Sequence, residues 1–74
     1  MTTDTPVLVT FGDFIKIARL SQRLSQGEVA SVAKIEQSYL SKIERGIKEP
    51  TLGVALRLCD ALHLDINEFV RNRK

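Results

Sequence analysis

The stretch LSQGEVASVAKIEQSYLSKIERG, from Leu24 to Gly46, commits close to a third of the chain to two short helices joined by something tight. Ser25 and Glu28 stand at the spacing of a capping box, in which the hydroxyl takes the backbone N–H three residues on and the carboxylate reaches back to the cap's own N–H. A helix therefore opens at Ser25, with Val29, Ala30 and either Val32 or Ala33 on its buried side. Gly27 in its first turn is a mild local weakness. After a short connection around Lys34, a further helix runs from about Glu36 to Arg45. Gly46 supplies the left-handed residue that ends it.

That further helix has two distinct faces. Ile35, Leu40, Ile43 and Ile47 are its apolar positions, while Gln37, Ser38, Ser41, Lys42 and Arg45 are polar. Helical spacing gathers Gln37, Ser38, Ser41 and Lys42 on one side, opposite Leu40 and Ile43. One face suits a core. The other is open, and an open polar face alone more often means solvent than recognition.

The remaining sequence continues in helices. The Thr10 hydroxyl is placed to cap a first helix, with Asp13 against its positive end, and Phe11, Phe14, Ile15 and Ala18, with Ile17 at the margin, give it a wide buried face. Pro50 closes a loop and Thr51 caps a fourth helix that is apolar nearly all round. Leu52, Ala55, Leu56, Cys59 and Leu62 form one stripe of it, and Val54, Leu58 and Ala61 a second. A helix of that kind is either central in a core or shared with a partner. Asp65 and Glu68 repeat the capping pattern before a last short helix that buries Ile66, Phe69 and Val70. The expectation is an all-α, compact bundle of five short helices. Residues 1–9 form a loose polar segment, residues 10–70 the domain and residues 71–74 a basic tail.

Composition narrows the function. A chain of 74 residues makes one small core without spare volume for a catalytic cleft. Cys59 and His63 are the single residues of their types, so no disulfide, cysteine zinc cluster or nucleophile and base pair is in view. No enzyme activity, metal or cofactor is expected. No run approaches the roughly 20 apolar residues of a membrane span, and Val7-Leu8-Val9 is too short for the core of a secretion signal. A lone cysteine suits a reducing cytoplasm. The net charge of +2 is carried by the end of the chain: without Arg71, Arg73 and Lys74, eight basic residues face nine acids. An argument for a polyanionic partner must therefore rest on the placement of Lys34, Lys42, Arg45 and Lys48, which Glu36, Glu44 and Glu49 interrupt.

Gly12, Ile15 and Arg19, then LSQ with Glu28 and Ala30, then SYLSKIERG, then Pro50 and ALRLCDALHLD, together resemble the phage-repressor and Cro-like helix-turn-helix family of transcription regulators, over roughly residues 11 to 70. The resemblance implies a lambda or 434 repressor-like domain whose helix 36–45 lies in the major groove of double-stranded DNA. It puts base reading on Gln37, Ser38 and Lys42, with Ser41 beside them. Gln pairs bidentately with adenine, Lys donates to guanine and a serine hydroxyl is unselective. It implies phosphate contacts from Gln26, which would also support Gln37, and backbone contacts are expected of Tyr39, Arg45 and Lys48. Tyr39 suits packing equally well. The resemblance also pairs Arg19 with Glu44 in a structural salt bridge between the first and third helices.

The departures are specific. Arg23, Lys34 and His63 stand where the family often has glycine at helix ends, so either side-chain-bearing residues take left-handed caps or the helices end differently. Glu36 replaces a small hydroxyl at the start of the recognition helix. The implied function is a cytoplasmic transcription regulator, nucleoid-associated when bound, that represses as a homodimer on a palindromic operator and needs no small-molecule ligand. Val54, Leu58, Ala61, Phe69 and Val70 are the expected dimer surface, unless they bury against Val7 to Val9. The competing function is a protein-interaction module of an antitoxin or antirepressor type.

Overall fold

The computed structural model describes residues 10–71, so the segment expected over 1–9 and residues 72–74 of the expected tail lie outside the described residues. The five helices are α1 (Phe11–Ser21), α2 (Gln26–Ala33), α3 (Gln37–Glu44), α4 (Leu52–Ala61) and α5 (Ile66–Arg71). Among the described residues there is no strand.

Short-range chemistry sets where the helices begin. Thr10 Oγ1 accepts from the Asp13 N–H at 3.1 Å and Thr51 Oγ1 from the Val54 N–H at 3.2 Å. The capping box is complete, with Ser25 Oγ accepting from the Glu28 N–H at 3.0 Å and Glu28 Oε1 from the Ser25 N–H at 2.8 Å. Asp65 starts α5 through its own carboxylate, which accepts from the Asn67 N–H at 2.9 Å.

One device ends the first four helices. Arg23, Lys34, Gly46 and His63 lie in the left-handed region with φ of 60°, 61°, 77° and 58°. The residue after each sends its N–H back five positions: Leu24 to Arg19, Ile35 to Ala30, Ile47 to Lys42 and Leu64 to Cys59. This double-bonded ending normally takes glycine, because a Cβ there costs about 1–2 kcal/mol. Leu24, Ile35 and Leu64 pack against the core, and that burial offsets the strain at the arginine, lysine and histidine before them.

The core is built from Ile15, Val29, Ala30, Ala33, Leu40, Ile43, Leu58, Cys59 and Leu62. On α4 the inward stripe is Ala55, Leu58, Cys59 and Leu62, which sorts the expected two stripes differently. Leu52 is 70% exposed and Leu56 46%. Ile47 and Val70 also face solvent, against expectation, as do Ile17, expected only at the margin of its face, and Val32, one of two alternatives on α2. Ile17 sits about 200° around α1 from the core residue Ile15, and Ala33, not Val32, completes the buried side of α2. Phe69 ties α5 to α1, its ring centroid 5.4 Å from those of both Phe11 and Phe14.

Two further contacts fix the frame. Gln22 Nε2 donates to the Leu62 carbonyl at 2.7 Å, and Arg57 Nε to the Ala33 carbonyl at 3.0 Å, so the ends of α1 and α2 are each bonded to the region of α4. Gly12 lets α1 approach the backbone of α3 directly. A Cβ at this position would collide with the Ile43 carbonyl and stand 3.1 Å from Glu44 Cα. Gly12→Ala is therefore expected to lower stability by about 1–3 kcal/mol in urea unfolding. Gly53→Ala, where nothing lies within 4 Å, is expected to raise it by up to about 1 kcal/mol. Equal effects of the two changes would contradict the close approach of α1 to α3.

Candidate nucleic-acid interface

Leu40 and Ile43 anchor α3 in the core, and that burial decides which side of the helix remains outside. Gln37, Ser38 and Lys42 are exposed and Ser41 is half-buried, all on the face opposite the anchors. The side chain of Glu36 makes no capping bond to α3 and stays exposed. Tyr39 is half-buried and packs against the core, as the second of its two readings required.

The angle of this face is fixed from below. Arg19 Nε donates to Glu44 Oε2 at 2.8 Å and Arg19 Nη2 to Glu44 Oε1 at 3.0 Å, so the fork of the guanidinium meets both carboxylate oxygens. The side chains are only 10% and 2% exposed. Arg19 Nη1 also donates to the Leu24 carbonyl at 2.8 Å, and Gln26 Nε2 to Glu44 Oε1 at 3.0 Å. The bond with Glu44 raises the Arg19 pKa further, against an opposing effect of burial, so Arg19 is charged at any working pH. Among the described residues, no buried side-chain nitrogen or oxygen lacks a hydrogen-bond partner. One carboxylate thus links α1, α2 and α3.

Gln26, expected at a phosphate and behind Gln37, is half-buried and directs one amide N–H to Glu44. The carboxamide of Gln37 lies instead near Gly27, the next residue of α2. That pairing depends on how two helices cross, so nothing local in the sequence announces it.

Burial also alters the charge around α3. Lys34, Lys42, Arg45 and Lys48 are exposed, as are Glu36 and Glu49, whereas Glu44 is inside and matched by Arg19. The solvent side of this stretch therefore carries four positive against two negative charges. Arg45 Nε lies 3.4 Å from the Ser41 carbonyl, which keeps its guanidinium alongside α3.

The expected dimer surface does not hold together as one patch. Leu58 is fully buried, and Phe69 is 7% exposed within the aromatic cluster, so neither meets a partner without opening the core. Val54 and Ala61 are half-buried on one flank of α4. Leu52 and Leu56 lie on the other, about 200° of helix rotation from Val54 to Leu52. On that second flank Val70 is 58% exposed. A cleft of about 340 Å³ there is lined by Thr10, Leu52, Ala55, Ile66, Phe69 and Val70 among others.

No group of His, Cys, Asp and Glu suited to a metal ion occurs among the described residues. Cys59 is buried, and burial together with Asp65 pushes its thiol pKa up, away from nucleophilic use. Among the described residues, no helix is long and apolar enough to cross a membrane.

Comparison with known proteins agrees with this geometry. A family model described as helix-turn-helix matches residues 15–69. The transcriptional regulator ClgR of Mycobacterium tuberculosis is 41% identical over 56 residues, which cover 76% of this chain and 50% of the relative. This chain therefore spans about half the length of that relative. Among solved structures, the restriction-modification controller protein C.AhdI from Aeromonas hydrophila superposes with a TM-score of 0.77 at 32% identity, over 84% of this chain and 94% of that one. The clp gene regulator ClgR of Corynebacterium glutamicum gives 0.79 at 25% identity, over 92% and 90%.

Removing one half of the buried ion pair is expected to be costly. Glu44→Ala strands a buried guanidinium and should destabilise by about 3–5 kcal/mol in urea unfolding. The double change Arg19→Met with Glu44→Leu should recover most of that loss. A cost below about 1 kcal/mol for Glu44→Ala would contradict a buried pair.

Proposed function

This chain belongs to the helix-turn-helix family of the phage-repressor and Cro type, and from that membership we propose that it is a sequence-specific transcription regulator that binds double-stranded DNA through α3. We further propose that it represses as a homodimer on a palindromic operator. The observation that carries the reading is the exposed face of Gln37, Ser38, Ser41 and Lys42, held at one angle by the buried bonds from Arg19 and Gln26 to Glu44. A polar face intended only for solvent needs no such fixing. Base readout does, because its hydrogen bonds are directional.

In this reading α3 enters the major groove. Gln37 takes the edge of an adenine, Lys42 donates to a guanine, and Ser38 and Ser41 make less selective contacts. Arg45, Lys48 and the hydroxyl of Tyr39 meet phosphates, as does the second N–H of the Gln26 amide, so the bond to Glu44 and a phosphate contact are compatible. Exposed Glu36 repels phosphate at the rim, or accepts from a cytosine amino group in the groove. The likeness to C.AhdI, a restriction-modification controller, and to ClgR, a regulator of clp genes, supports a role in gene control.

Dimerisation follows from economy of contact, since one recognition helix reads only a few base pairs and two copies gain affinity and specificity together. The surface that supports it is the flank carrying Leu52, Leu56 and Val70 beside the cleft, whose lining also includes Lys48 and Glu49, in place of the face of Leu58. Large exposed apolar side chains gathered on one side of a small domain mark an interaction site. Leu56→Glu is expected to shift the protein toward monomer in sedimentation and to weaken operator binding.

The DNA reading makes separable mutational predictions. Gln37→Ala and Lys42→Ala should each remove about 1–3 kcal/mol of discrimination at one base pair. Lys48→Ala should weaken binding to every sequence and reduce the slope of log affinity against log salt by about 1. Equal losses on selected and random DNA for all three variants, in titrations over a range of salt, would rule out base reading by α3.

A further inference from the structure

We propose that Gly27 is a specificity-determining position, because its missing side chain lets the carboxamide of the base reader Gln37 lie close against the start of α2. The inference rests on the DNA-binding reading and deepens it. A Cβ at Gly27 would stand 3.3 Å from Gln37 Oε1 and 3.9 Å from Gln37 Cδ. The first distance is tighter than an ordinary van der Waals contact, so the carboxamide would have to move. Gln37 opens α3 and Gly27 is the second residue of α2, so the contact joins the starts of the two helices.

Nothing else at this position calls for glycine. Gly46 is the one glycine with positive φ among the described residues, so Gly27 has a backbone that any residue adopts. Besides the Gln37 side chain, the nearest neighbour of the added Cβ is Ser25 Oγ, at 3.8 Å. Helix propensity disfavours glycine here, and the core does not need it. Its consequence is therefore local to Gln37: a solvent-exposed side chain with three rotatable bonds is given a resting place on the backbone of α2. Restricting those bonds before DNA arrives lowers the ordering cost at docking and favours the base edge that the resting conformer meets.

Gln26, the residue before Gly27, directs its amide to Glu44, while the carboxamide of Gln37 lies beside Gly27. Gly27 is a positioning residue, not a contact to DNA. Its effect should pass wholly through Gln37.

The test compares the wild type, Gly27→Ala, Gln37→Ala and the double variant by selection from a random duplex pool, with melting curves for each. Gly27→Ala is expected to melt no lower than the wild type. It should change preference by about three- to tenfold at the base pair whose preference Gln37→Ala abolishes, and leave other positions unaltered. In the Gln37→Ala background it should have no effect on the profile. A Gly27→Ala profile identical to the wild type overturns the proposal, as does an effect of equal size in the Gln37→Ala background. A wild type with no base preference overturns the DNA-binding reading and this inference with it. Loss of the Gly27 effect alone leaves that reading standing.

Discussion

The carboxylate of Glu44 is where three helices meet. It accepts from Arg19 on α1 with both oxygens and from Gln26 on α2, while belonging to the last turn of α3. Burying two charges is expensive, and an apolar pair of similar volume would serve stability as well or better. What the ion pair adds is direction. A guanidinium fork and a carboxylate bond well in one relative orientation, so the crossing of α1 and α3 is set by chemistry and not by volume alone. Gly12 allows that crossing to be close, since its missing Cβ lets the two backbones touch at Ile43 and Glu44. Arg19, about two turns further along α1, then reaches the end of α3.

The exposed surface inherits this arrangement. Holding Glu44 inside removes an acid from a stretch whose other exposed charges are mainly positive. The polar face of α3 projects away from Leu40 and Ile43, with Lys42, Arg45 and Lys48 distributed along it and the following loop. Core packing, ion pairing and the direction of the polar face of α3 are therefore one construction. Changing the buried pair should disturb the outward face even though no member of the pair needs to touch DNA.

How much of this was legible in the sequence depended on range. Thr10, Ser25 with Glu28, and Thr51 acted within four residues of themselves, and their helices begin where those side chains imply. At Arg23, Lys34 and His63 the resemblance left two endings open, and the left-handed caps are the one observed. The apolar residue after each, Leu24, Ile35 and Leu64, repeats the relation of Ile47 to Gly46 and was the available signal. The faces of α4 were not readable, because a helix apolar nearly all round offers no contrast for periodicity to detect; buried Leu58 falls in the stripe expected at a dimer surface, and exposed Leu52 and Leu56 in the other. The close approach at Gly12, the bond from Gln26 to Glu44 and the contact of Gln37 with Gly27 all depend on how helices cross. Spacing along a chain does not encode that, and only the family resemblance carried any of it, in the pairing of Arg19 with Glu44.

The central claim is that α3 reads base sequence, and selection of bound duplexes from a random pool at near-physiological salt tests it most directly. The account predicts enrichment of an inverted repeat whose half-sites are centred about one helical turn apart, on one face of the duplex. Binding that enriches no sequence and disappears as salt rises would leave only attraction to phosphate, and would contradict the assignment of Gln37, Ser38, Ser41 and Lys42 as base readers.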